Sequence, residues 1–133
     1  MISKVIYEGE LRTKATHLQS GKTIYTDAPV DNQGKGDAFS PTDLVATSLA
    51  SCMLTIMGIV ARRDGILLEG TVAEVEKIMV KDPRRIGEIK IKFIFKHTIE
   101  EKDRVKLERA ARTCPVSGSL HQDLKENIDF IYP

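Results

Sequence analysis

The chain contains no tryptophan, aromatic residues make up only 5% of it, and cysteine occurs just twice in 133 positions. Neither sign of charge is in excess: 20 Lys and Arg stand against 19 Asp and Glu, for a net charge of +1. That balance removes the electrostatic case for a nucleic-acid partner, and no Gly-rich or aromatic RNA-binding signature replaces it. A leader segment is not expected either. The opening MISKVIYEGE meets Glu8 and Glu10 before any apolar run develops, so a cytoplasmic location is the default expectation. The two cysteines, Cys52 and Cys114, form no C-x-x-C pair, and a structural bridge is not expected in a reducing compartment. Composition alone reads them as buried small hydrophobes. A single domain is expected, large enough to bury a core without disulfides.

What is present is one long apolar stretch, SPTDLVATSLASCMLTIMGIVARRDG, from Ser40 to Gly65. Its start is well signalled. Ser40 suits the N-cap, Pro41 the first helical position, and Asp43 the third, where a carboxylate faces free backbone amides. Arg62 and Arg63 suit the negative end of the helix dipole, and Gly65 the left-handed closing residue. Leu44 to Ala61 holds no charge, and only Thr47, Ser48, Ser51 and Thr55 interrupt it with hydroxyls. An all-round apolar helix is a core helix or a membrane span. The run barely reaches bilayer length, so a core helix with no membrane partner is expected. At about 100° per residue, Val45, Ser48, Cys52, Ile56 and Ile59 share one face.

Elsewhere the pattern is strand-like. Residues 4–17 alternate, with Val5, Tyr7, Leu11, Thr13 and Ala15 on one side, which predicts one half-buried strand. Ser20-Gly21 predicts a turn into a partner strand over Lys22–Asp27, and Arg12 is expected to be solvated on the polar face. Residues 28–39 read as a polar loop leading to the helix. Strands are predicted over 70–80 and 88–97, the second with Ile89, Ile91, Phe93 and Phe95 inward. The basic turn KDPRRIG joins them. Thr98-x-x-Glu101 predicts a capping box opening a helix to about Thr113, with Glu100, Arg104, Glu108 and Arg112 as a solvent-facing ladder. Pro115 predicts a further helix to about Leu124, and residues 127–132 a last strand. Strands grouped beside helices predict an α+β class.

A thiol becomes reactive where a helix N-terminus or a cation favours its thiolate. Cys114 precedes Pro115 and a new helix, with Arg112 two residues back; Cys52 lies mid-helix and needs a cation from elsewhere. The two segments together resemble a known family. SPTDLVATSLASCMLTIM is similar to the central-helix motif of the OsmC/Ohr family of osmotically induced and organic hydroperoxide resistance proteins. TCPVSGSL resembles that family's second cysteine motif. The resemblance implies antiparallel sheets wrapped around a long central helix, in an intertwined homodimer with sites at its interface. It also implies a thiol-dependent reductase of organic hydroperoxides, with no cofactor. Cys52 would be the nucleophile, Cys114 the resolving thiol, and an external dithiol the reductant.

One departure stands out. Active peroxidases of that family carry an Arg in the loop before the helix and a Glu directly after its proline. Here the loop DNQGKGDAF offers only Lys35, and the residue after Pro41 is Thr42, with Asp43 one further on. Lys35, Thr42 and Asp43 are thus the candidate supporting positions, and a slow peroxidase is expected, since a lysine supplies a point charge and no bidentate fork. Two alternatives remain beside it: a non-peroxidatic relative binding a small apolar ligand in the same pocket, and a metal site from Cys52, Cys114 and His121.

Overall fold

The computed structural model describes all of residues 1–133, which divide into two compact units, Met1–Val45 and Ala46–Pro133.

The first unit is an antiparallel sheet of three strands in the order β1 (Ser3–Gly9), β2 (Arg12–His17), β3 (Thr23–Asp27). Where the alternation predicted one strand over 4–17, the chain folds back on itself at Glu10-Leu11. Both residues take left-handed φ values, 56° and 60°, and Gly9 pairs with Arg12 across the turn. Two positive φ values match the right-handed twist of a two-residue hairpin, but Asn or Gly usually supplies them. Glu-Leu does not advertise a turn, and the hydrophobic alternation continues through it. Val5, Ala15 and Ile24 stand in one cross-strand row, and Tyr7, Thr13 and Thr26 in another on the same face. Val5, Tyr7 and Ile24 are 63%, 65% and 52% exposed.

Residues 28–39 form a folded loop. A 3₁₀ turn at Val30–Asn32 leads to Gly34, whose amide donates to the Pro29 carbonyl at 2.9 Å. A Cβ at Gly34 would meet the Ala28 carbonyl oxygen at 1.7 Å, so only glycine fits this return. The loop ends in the expected cap. Asp43 N–H donates to Ser40 Oγ at 3.0 Å while Ser40 N–H donates to Asp43 Oδ2 at 2.9 Å, a reciprocal pair that fixes the first residues of α1 (Pro41–Asp64).

The second unit contains the rest of α1, then β4 (Val72–Val80), β5 (Arg85–Ile94), α2 (Glu101–Ala111), α3 (Pro115–Ser119) and β6 (Lys125–Ile131). Gly65, at φ 68°, closes α1, and the Ile66 amide donates to the Ala61 carbonyl. The sheet order is β4-β5-β6, and here the expectation of purely antiparallel sheets is corrected. β5 and β6 run parallel, with Ile91 opposite Ile128 and Phe93 opposite Phe130. Two helices separate these strands in sequence, and a crossover of that kind brings the chain back in the same direction.

Ile89, Ile91, Phe93 and Phe95 point inward as predicted and meet Leu49, Met53 and Met57 of α1 and Leu107 and Ala111 of α2. Each such side chain, buried completely, contributes about 1.5–3 kcal/mol. α1 is long and apolar enough to cross a bilayer by length and composition, yet its buried residues belong to this core.

Three helix-level expectations are overturned. Glu100, not Thr98, is the N-cap of α2, and no side-chain capping bond forms there. The predicted solvent ladder also faces the sheet in part. The Arg104 guanidinium lies 4.4 Å from the Tyr132 ring centroid and donates to the Ile99 carbonyl, Glu108 accepts from the Tyr132 hydroxyl at 3.0 Å, and Arg112 lies over Phe130. Phe93, Phe130, Phe95 and Tyr132 stack in series beneath these cations. A ring face attracts a cation, so an i, i+4 charge pattern can cover aromatics as readily as meet water. α3 is shorter than predicted, ending at Ser119.

Candidate functional site

In the second unit, α1 presents Cys52 half-buried, and the turn after α2 presents Cys114 buried. The fold brings the two thiols close enough for Cys52 to act on the titration of Cys114. Cys114 is the N-cap of α3, and its Sγ accepts the Ser117 amide proton at 3.2 Å. This is the usual capping geometry, with sulfur in place of the hydroxyl or carboxylate oxygen. Burial pushes the Cys114 thiol above its ordinary value, the Ser117 amide opposes that rise, the neighbouring Cys52 adds to it, and the Val116 amide opposes it. Arg112, the cation nearest in sequence, lies over the Phe130 ring with 5.6 Å from guanidinium to centroid. No group of three His, Cys, Asp or Glu side chains is placed to hold a metal ion, and His121 lies exposed beside Asp123.

The Ser117 hydroxyl donates to both carboxylate oxygens of Glu126, at 2.7 and 2.9 Å. Glu126 stands on β6 opposite Ile89 of β5. Neither residue was singled out from the sequence. The signal for Ser117 was available, because a residue three beyond an N-cap is the one that donates to it. Glu126 had none, since its pairing depends on where β6 joins the sheet.

In the first unit the structure assembles a second cluster. Arg12 is not simply solvated as expected. Its Nε and Nη2 donate to the two carboxylate oxygens of Asp27, each at 2.8 Å, and the guanidinium also lies over the Tyr25 ring. Asp27 is 1% exposed, and the Arg12 side chain 36%. The hydrogen bonds from Arg12 hold the Asp27 carboxyl below its usual range against the opposing effect of burial, and the charge of Arg12 adds to this. The Asp37 backbone and the charge of Lys35 contribute in the same direction. Arg12 in turn is raised, first by its bonds to Asp27. Arg12 and Asp27 are directly opposed in the β2–β3 register, so the pair was readable only with that register known.

Of the three supporting positions, Lys35 is an exposed loop residue near Asp27. Thr42 Oγ1 lies 3.2 Å from Ser40 Oγ, and Asp43 is engaged in the helix cap. The chemistry open to the cysteine pair is two-electron thiol–disulfide exchange: two adjacent reduced sulfurs, one accessible and one buried with a fixed amide donor.

Comparison with known proteins follows the same line. The profile of the OsmC-like protein family matches residues 34–129. No curated protein matches the sequence. Among solved structures, a proposed osmotic stress induced and detoxification response protein from Psychrobacter arcticus 273-4 superposes with a TM-score of 0.95 at 55% identity, covering 98% of this chain and 95% of that one. The organic hydroperoxide resistance protein OsmC of Legionella pneumophila superposes at 0.76 with 16% identity, covering 98% and 97%. The organic hydroperoxide resistance protein OhrB of Bacillus subtilis does so at 0.69 with 19% identity, covering 98% of each chain; at these identities the likeness is one of fold. With the profile spanning most of its length and a relative more than half identical, this chain belongs to the OsmC-like family.

Proposed function

We propose that the protein is a thiol-dependent reductase of organic hydroperoxides, acting in a detoxification response of the kind named for its Psychrobacter relative. The observation that carries the reading is the adjacency of Cys52 and Cys114 in a reduced pair. The Cys52 thiolate attacks the peroxide O–O bond. It takes one oxygen as a sulfenic acid and releases the alkoxide, which leaves as the alcohol on protonation. Cys114 then displaces that hydroxyl as water and closes a disulfide, and an external dithiol returns both sulfurs to the thiol state while itself becoming a disulfide. Cys52 is the nucleophile because it is the more accessible of the two. Asp43 serves to start the helix.

A homodimer is part of the same proposal. Ser48, Ser51, Thr55 and Ile59 lie exposed along one side of α1, and the sheet of the first unit leaves Val5, Tyr7 and Ile24 uncovered. A second copy of the chain, burying about 2,000 Å² or more in total, would cover such surface. The intertwined arrangement around α1 and a cytoplasmic location belong to this reading.

The test is a stoichiometric one. One equivalent of cumene hydroperoxide should convert two free thiols into one intramolecular disulfide and yield one equivalent of alcohol. Two thiols still free after peroxide treatment would overturn the reading. A second reading rests on a specific feature. An open groove of about 540 Å³, lined in part by Leu54, Gly58, Ile59, Ile66 and Leu68, suits a small apolar ligand. Binding of an apolar fluorophore by the Cys52→Ser protein, without turnover by the unsubstituted chain, would favour it.

A further inference from the structure

The first turn of α3 is too short to orient itself. Five residues lie below the length at which a helix is stable alone, Pro115 donates no amide, and Gly118 is among them. Yet this turn holds the amide that faces the Cys114 sulfur. Its lateral tie to the sheet is the bond from the Ser117 hydroxyl to Glu126. Glu126 itself calls for an explanation. It shares a cross-strand row with fully buried Ile89, so its carboxylate stands on the helix-facing side of the sheet, where an ionised group is costly unless hydrogen-bonded. An apolar pair at 117 and 126 would serve packing at least as well.

We propose that Glu126, acting through Ser117, is a positioning residue for Cys114: it holds the Ser117 amide on the sulfur whenever that sulfur must carry negative charge. The inference rests on the reading of the two cysteines as a redox pair. Two steps put charge there. In disulfide closure, the Cys114 thiol loses its proton to solvent and the thiolate attacks the Cys52 sulfenic acid, whose hydroxyl departs as water. In reduction, an external thiolate bonds to the accessible Cys52 sulfur and the S–S bond breaks with its electron pair moving to Cys114. A better-stabilised leaving thiolate leaves faster. The fixed amide therefore assists both steps and directs the mixed disulfide to Cys52. A carboxylate close to a thiolate would by itself disfavour ionisation, so the useful property of Glu126 is its accepting geometry and not its charge.

That distinction makes the test specific. In a Cys52→Ser background, the ultraviolet thiolate signal of Cys114 is titrated for Glu126, Glu126→Gln, Glu126→Ala and Ser117→Ala. The Ala variants are expected to raise the midpoint by about one pH unit, while Glu126→Gln, which still accepts from Ser117, stays close to the parent. In chains with both cysteines, treated with cumene hydroperoxide, the Ala variants should close the disulfide about threefold more slowly, since the smaller thiolate fraction is partly offset by a more nucleophilic thiolate. A sulfenic acid at Cys52 remains trappable by dimedone meanwhile. An unchanged Cys114 titration in both Ala variants overturns the inference, even where peroxide still forms the disulfide. Failure of the redox reading is seen separately, as the absence of both sulfenic acid and disulfide in the unsubstituted chain. Ser117→Ala removes a single oxygen and serves where Glu126→Ala does not fold.

Discussion

The two units of the chain are built on opposite principles. Residues 46–133 bury a continuous apolar core, with Leu49, Met53, Met57, Ile89, Ile91, Phe93 and Leu107 removed from water. Residues 1–45 bury mainly polar side chains: Thr26, Asp27 and Ser40 are their buried residues, while Val5, Tyr7 and Ile24 stay exposed. The first unit is thus defined by its hydrogen bonds, the Arg12–Asp27 fork and the Ser40–Asp43 cap among them. A unit with its apolar groups outside and its ion pair inside is suited to meeting something, whereas the second is suited to holding two sulfurs in place. Apolar burial contributes stability without direction, while a bidentate ion pair contributes direction with little net stability.

The largest expected effect breaks the chemistry of the second unit outright. Cys52→Ser should abolish peroxide consumption, and Cys114→Ser should leave a single turnover ending in a trapped sulfenic acid, both read by alcohol release. Multiple turnover by Cys52→Ser with a dithiol present would remove Cys52 from the mechanism.

Next come substitutions that set core against surface. Leu107→Ala should cost about 2–5 kcal/mol in denaturant unfolding, at any protein concentration. Ile24→Lys should act differently, lowering the self-association constant seen by sedimentation velocity while leaving the core intact. A dimer indifferent to Ile24→Lys would mean that this sheet face meets no second copy.

A smaller effect separates the cations of the first unit. The charge-assisted fork from Arg12 to Asp27 orders this unit. Arg12→Ala should speed amide exchange over residues 12–27 at neutral pH, with Arg12→Lys recovering only part. Lys35→Ala should speed it by less. The reverse order would make the loop lysine the main partner of Asp27.

The smallest effects are those of pH, and they differ in sign. Asp27 is depressed in the folded chain, so its contribution is fully present above the ordinary carboxylate range and is lost as pH falls through the lower folded value. Amide exchange over residues 12–27 should rise first on acidification, and in Asp27→Asn it should be raised already at neutral pH. Tyr132 and Cys114 are both raised, chiefly by burial, so they keep their protons longer in the folded chain than in the unfolded one. They weaken the fold only at alkaline pH, above their ordinary values. Tyr132→Phe should accordingly show a shallower alkaline loss of stability, at the expense of about 0.5–3 kcal/mol near neutrality for the missing bond to Glu108. Equal alkaline slopes in the two proteins would count against that account.

Much of the architecture was legible because its signals are local. The Ser40–Asp43 cap, the charge-free run and Gly65 bound α1 without reference to any other segment, and the alternation of β5 named the core residues that the fold buries. The two cysteine segments were equally local, each readable in a dozen residues. The turn at Glu10-Leu11 was not, because φ there is imposed by pairing between β1 and β2 and not by the residues' own preferences. The Glu100–Arg112 ladder carried the right spacing for a solvent face, and β6 with its aromatic neighbours turned that face into a cover for rings.

The sequence by itself determined where α1 begins and ends, which side of β5 faces inward, and that two thiols of different setting exist. Capping, periodicity and side-chain size act over a few residues and leave their mark in the order of residues. Tertiary structure alone decided that the two thiols meet, that β6 runs parallel to β5, that Arg12 finds Asp27, and that Ser117 finds Glu126. Each of these joins residues whose separation is bridged by chain entropy and register, and a one-residue slip of β3 or β6 would dissolve the pair while leaving every local preference satisfied.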